Sequence, residues 1–164
     1  MATINDITTK VSAVSKAQKE VMARNVTHSI YSYLQKEYDQ KKASDTIAEI
    51  YAQVTSNDGT VKHNEYELFV SVVANDLNYD QFFALCAKNQ KTEKRNELWN
   101  TMKDSINDKD VYVAIIALML IIATVDGACS EDEEQQLANY IEIGDRKFKL
   151  DITNSIYNAL EKIL

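Results

Sequence analysis

The chain has 164 residues, 45% hydrophobic and 26% charged, which is enough apolar content to close one core and too much for a disordered segment. Twenty-five acidic against 18 basic side chains leave a net charge of −7, which excludes general attraction to nucleic-acid phosphates or an anionic membrane surface. No proline and three glycines over this length exclude a sheet protein with many tight corners and leave an all-α chain with Asn- and Asp-rich turns.

The opening residues, MATINDITTKVSAVSK, lack the apolar run of a signal peptide. Residues 6–39 read as one long helix or two consecutive ones. Val11, Val14, Val21 and Met22 give a weak stripe, and Ile30, Tyr31, Leu34 and Tyr38 a clearer one. DQKKASD (39–45) is a polar break, with Ser44 as an N-cap. Ile47, Ile50, Tyr51 and Val54 then form the apolar face of a helix that ends near Thr55, before the turn SNDG. A helix over 62–73 turns Leu68, Phe69, Val72 and Val73 inward.

NDLNYD (75–80) breaks the chain again, and Phe82, Phe83, Leu85 and Cys86 continue as helix. Leu98, Trp99, Met102 and Ile106 mark a helix over 92–106 with a charged outer face. Asp108 caps the next helix, whose apolar run over 111–125 spans 15 residues. A membrane span needs about 20, so this helix is expected to be buried on all sides within the domain. Ser130 starts the following helix and Asp151 caps the last. The expected fold is seven to eight helices joined by short connections in a bundle-like domain.

Two cysteines, Cys86 and Cys129, are too few for a disulfide framework and favour a reducing compartment. His28 and His63 show no zinc-ligand spacing with them and read as surface or boundary histidines. There is no G-x-S-x-G, no phosphate-cradling glycine loop and no H-E-x-x-H, so the chain is expected not to be an enzyme.

One pattern occurs twice. Shifted by 68 positions, Asp58 falls on Asp126, Gly59 on Gly127, Val61 on Cys129 and Glu65 on Glu133. The apolar frame follows: Ile47 meets Ile115, Ile50 meets Leu118, Val54 meets Ile122 and Phe69 meets Leu137. The shared pattern is helix, D-G-x-apolar-x-x-x-E, helix. It describes two pseudo-symmetric helix–turn–helix repeats.

Local chemistry accounts for most of these residues. A glycine past a helix end supplies a left-handed backbone, and an aspartate before it bonds the turn. Ser130 with Glu133 makes a capping box, whereas Lys62 replaces the serine in the first copy. The surplus is charge. Asp126, Glu131, Asp132, Glu133 and Glu134 lie within nine residues without a lysine or arginine among them. A hard divalent cation would offset their repulsion, Ca²⁺ or Mg²⁺ rather than Zn²⁺. Its candidate ligands are Asp58, Glu65, Asp126 and Glu133. An EF-hand does not fit, because Val54 and Ile122 stand where the leading aspartate belongs.

At TSNDGTVKHNE (55–65) and IATVDGACSEDEE (121–133) the chain resembles the tellurite-resistance TerB family and its wider TerB-like domains. The resemblance covers residues 43–143. It implies one compact TerB-like domain, with residues 1–42 as a helical lead packing on a core over 43–164. It also implies a non-enzymatic stress-response protein of bacterial cytoplasm that binds a divalent cation through acidic residues. Such a protein acts through a partner, including a membrane protein of the same resistance system, which would place it at the inner membrane; a homodimer is compatible with it. By position Asp58, Glu65, Asp126 and Glu133 carry the acidic role. Lys62, His63 and Asn64 depart from an acidic or small run. The alternative is a metal-free helical interaction module whose acids are helix caps.

Overall fold

The computed structural model describes residues 2–56, 62–73, 78–127 and 129–163. Among the described residues it is all-helical: α1 (Ile4–Ser12), α2 (Lys16–Glu37), α3 (Gln40–Ser56), α4 (His63–Val72), α5 (Tyr79–Asn89), α6 (Thr92–Asn100), a π-helical turn (Thr101–Ser105), α7 (Lys109–Thr124), α8 (Glu131–Phe148) and α9 (Ile152–Ile163).

The starts of these helices follow their caps. Thr3 and Asp6 form a capping box on α1, and the Ser15 hydroxyl accepts from Gln18 N–H at the start of α2. Asn78 and Gln81 form another box on α5. Asp108 Oδ1 accepts from the N–H groups of Asp110 and Val111 at 2.9 and 3.2 Å, and Asp151 Oδ1 from Asn154 N–H at 3.0 Å. The expected cap at Ser44 is corrected. The cap lies five residues earlier: α3 starts at Gln40, and Asp39 Oδ1 accepts from Lys42 N–H at 2.7 Å.

The segment read as one helix over 92–106 changes character midway. After Asn100 the ladder widens, and Ile106 N–H donates to Thr101 O at 3.1 Å, five residues back. Lys147 of α8 covers this end, with its ammonium donating to Lys103 O at 2.8 Å and Ile106 O at 2.6 Å. A cation there meets the negative end of a helix.

The core is organised around α7, which touches α1, α2, α3, α8 and α9. Its principal partner is α2, so residues 1–42 contribute a wall of the core through Ala23, Ile30 and Leu34. An aromatic cluster joins α3, α4 and α5. Tyr51 meets Phe69 edge-on at 5.5 Å between centroids, and Phe69 meets Phe82 at 4.7 Å. The Tyr51 hydroxyl is paired with Thr27 Oγ1 of α2 at 3.1 Å.

At the other end, α8 and α9 close on α7 through Gly144. A Cβ at that position would collide with Ile152 Cδ1 and with the Tyr112 ring, whose Cδ1 would lie 2.8 Å away. The same Tyr112 is fully buried and donates its hydroxyl proton to Tyr140 O at 2.5 Å. Among the described residues no helix is long and apolar enough to cross a membrane.

The expectation that α7 is buried on all sides holds for most of its length and fails along one edge. Ile115, Ile116 and Leu118–Ala123 are buried, whereas Val113, Ala114 and Ala117 are only half-buried.

Candidate functional site

The helix α7 ends where the acidic motif begins. Val125 closes it with right-handed backbone, and Gly127 N–H donates to Thr124 O at 3.0 Å. Gly127 has φ +120°, a conformation that side chains disfavour, so the glycine redirects the chain as its place in the motif requires. Cys129 is half-buried against the core, and burial pushes its thiol up to about 12, with Glu133, Glu134 and Asp126 adding to the effect.

The helix α8 then starts on a complete capping box. Glu133 N–H donates to Ser130 Oγ at 3.1 Å, and Ser130 N–H donates to Glu133 Oε1 at 3.0 Å. Glu133 is 5% exposed, so this carboxylate faces inward rather than towards solvent. Glu131 and Asp132 are exposed in the first turn, where the helix dipole favours them.

At the first copy the described residues resume at Lys62; Asp58, Gly59 and Val61 lie outside them. The helix α4 starts with Lys62 N–H donating to Glu65 Oε1 at 3.0 Å, and Glu65 is 3% exposed. A lysine side chain has no acceptor, so the box has only its return half. The Lys62 side chain is engaged elsewhere: its ammonium forms an ion pair with Asp126 Oδ2 of the second copy. The start of α4 and the end of α7 therefore lie side by side.

The repeat also fixes helix boundaries. A shift of 68 takes Ser56, the last residue of α3, to Thr124, the last of α7, and takes His63, the first of α4, to Glu131, the first of α8. Ile47, Ile50, Tyr51, Val54 and Phe69 are core residues, and so are Ile115, Leu118, Met119, Ile122 and Leu137 at the shifted positions.

A second lysine at this site was not expected from the motif. Lys19 of α2 is 3% exposed, and its ammonium donates to Thr124 O at 2.6 Å, with Ser12 O at 3.5 Å. It covers the carbonyl end of α7, as a charged C-cap does. Burial lowers its pKa, and the neighbouring Asp126 carboxylate opposes that shift. A signal existed in the sequence. Lys19 falls at helical spacing with Ala23, Thr27, Ile30 and Leu34, the buried face of α2.

The described acids of the motif thus meet donors from the protein itself. Glu65 and Glu133 hold the N-cap backbones of their own helices, and Asp126 faces the Lys62 ammonium. Among the described residues no group of three or more His, Cys, Asp or Glu side chains converges as a metal-binding set. A cation held by Asp126 would compete with Lys62 for that carboxylate. Both histidines are exposed, and His63 Nε2 lies 2.9 Å from Glu67 Oε1. Cys86 is buried on α5, and burial, with the Glu65 carboxylate adding, pushes its thiol up to about 12. That is the environment of a packed thiol, not of a nucleophile. A cleft of about 490 Å³ lies between α6 and α8, with Asp132, Trp99, Arg95 and Gln136 in its lining; Glu65, Asp126 and Glu133 are not part of it.

No family model, curated protein or solved structure matches the chain.

Proposed function

We propose that this chain is a non-enzymatic helical adaptor whose duplicated acidic turn is a structural device and whose work is to dock a partner protein. The observation that carries this reading is the engagement of Glu65 and Glu133 with N-cap backbones at 3.0 Å and of Asp126 with Lys62. Buried carboxylates that satisfy backbone N–H groups explain why the motif repeats its glutamate without needing a ligand. This is the metal-free form of the TerB-like resemblance. On that resemblance, the setting is a bacterial stress response to tellurite or similar agents, with a partner in the same resistance system at the inner membrane.

Thermal melts with Ca²⁺, Mg²⁺, Mn²⁺, Zn²⁺ and EDTA test it. The expected outcome is the same transition in every buffer. A cation bound at 100 times its dissociation constant would add about 2.7 kcal/mol. A stabilisation of that size, lost in Asp126→Asn/Glu133→Gln, would overturn the metal-free reading.

One observation favours the metal-responsive variant. Lys62 and Asp126 bring the start of α4 to the end of α7, close in sequence to the exposed Glu131 and Asp132. In that variant a divalent cation displaces the Lys62 ammonium and changes the acidic face. Lys62→Met would then create cation-dependent stabilisation, or strengthen it. The metal-free reading expects no cation dependence in that variant either.

A further inference from the structure

A trough of about 490 Å³ lies between α1, α2, α7 and α9; Glu65, Asp126 and Glu133 are not in its lining. Its lining includes the half-buried Ala114 and Ala117 of α7, the exposed Ala159 of α9, and Val21 and Met22 of α2. Apart from Asn25 and Asp110 its lining is apolar. The volume falls in the range of about 300–1,000 Å³ typical of binding sites, and a mostly apolar lining with a few polar groups is the usual composition. Val21 is 52% exposed on its rim.

Two facts say what covers this trough. The first is the helix beneath it. The run over 111–125 is apolar around its whole circumference, the pattern of a helix covered on every side. Yet its Val113–Ala114–Ala117 edge is only half-buried, and that edge faces the trough. The second is charge. Asp110 is the charged residue in the lining, and the chain as a whole carries −7. A second copy would bring the same negative charge to the same acidic end, whereas a cationic partner is drawn to it.

We propose that the trough is a docking site for an amphipathic helix of a partner protein, with an apolar stripe seated on Ala114, Ala117 and Ala159 and a lysine or arginine reaching Asp110. Small residues in the lining let a helix approach closely, and its anchors would fall at i, i+3, i+4 and i+7. This inference rests on the adaptor reading and names the surface that reading requires.

The test uses the full chain and two labelled synthetic peptides of about five helical turns. Both carry a leucine stripe; one has lysine on its polar face and the other glutamate. Fluorescence anisotropy is expected to show saturable binding of the lysine peptide and little binding of the glutamate peptide. Val21→Gln/Asp110→Asn alters two exposed positions, so the variant should fold with the parent's helical content, which circular dichroism checks. It is expected to weaken the lysine peptide at least about tenfold. Absence of lysine-peptide binding, equal binding of both peptides, or binding untouched by the double substitution each overturns the proposal. So does a concentration-dependent dimer in sedimentation velocity that the double substitution abolishes, because a second copy then fills the trough. The metal-free adaptor reading fails separately, through cation-dependent melts, so the two failures are distinguishable.

Discussion

At the start of α8, Ser130 and Glu133 exchange hydrogen bonds, and the helix is begun entirely by its own residues. At the start of α4, Lys62 stands where the serine would be, and only Glu65 bonds back. The two helices nevertheless begin at equivalent positions with return bonds of the same 3.0 Å length. The difference teaches which half of the box sets the helix start. A buried glutamate on the N-cap N–H suffices, and the serine adds to it. Releasing the first copy from serine leaves its side chain free to cross to Asp126, so the weaker cap coincides with the link between the copies.

The largest effect should come from removing the shared half. Glu65→Ala and Glu133→Ala each remove a buried side chain and the partner of an N-cap N–H, and each is expected to cost about 1–3 kcal/mol in chemical denaturation at pH 7. A loss at one copy and none at the other would break the equivalence. Next comes the half found in one copy only. Ser130→Ala is expected to cost about 0.5–2 kcal/mol, the usual price of a lost N-cap, whereas Lys62→Ala should leave the cap of α4 unchanged.

A smaller effect belongs to the bridge between copies. Lys62→Met should cost no more than about 1 kcal/mol at low ionic strength, because the lysine is half exposed. The cost should vanish in about 1 M salt, where screening acts within about 3 Å. A salt-independent loss would mean that Lys62 contributes packing rather than charge.

The two copies also differ in their neighbouring thiols, which gives the mildest test. Cys86 near Glu65 is buried, and Cys129 near Glu133 is half-buried. Iodoacetamide at pH 8 should alkylate Cys129 before Cys86, and both far more slowly than the unfolded chain, because the reactive thiolate is suppressed at each. The same groups set the alkaline limit of the fold. The thiols of Cys86 and Cys129 and the Tyr140 phenol are pushed up to about 12 by burial, and Tyr51 and Tyr112 shift in the same direction. Each keeps its proton longer in the folded chain, so above about pH 9 the unfolded chain binds fewer protons and stability falls as pH rises. Lys19 and Lys147, whose pKa values burial lowers, act in the opposite direction but are outnumbered. Denaturation midpoints from pH 7 to 11 would check the slope; a rising midpoint would refute it.

What the sequence made legible was local. Asp108, Ser130 and Asp151 start helices as expected, because a cap is decided within four residues. The starts of α4 and α8 correspond under the repeat for the same reason, whereas their ends, Val72 and Phe148, do not. Ser44 misled because Asp39 offered an equally good cap one turn earlier, and α3 took the longer option. The uses of Lys19, Lys62 and Lys147 are tertiary: each ammonium reaches a carbonyl or carboxylate on another element, and local spacing announces at most the burial of Lys19 on its helix face, not its partner. The half-covered edge of α7 was hidden too. Composition states how much cover a helix wants, and only the packing shows which side is left without it.

Gly127 and Gly144 carry different consequences for how far this sequence can vary. At 127 there is open space around the missing side chain, and the constraint is the backbone angle. At 144 the backbone is ordinary helix and the constraint is the Tyr112 ring and Ile152 methyl pressed against it. A compensating change elsewhere could never relax the first, because the strain lies within the residue itself. It could relax the second, since a smaller residue at 112 or 152 would make room. Position 144 can therefore drift along an evolutionary path that passes through its neighbours, while position 127 has no neighbour to bargain with.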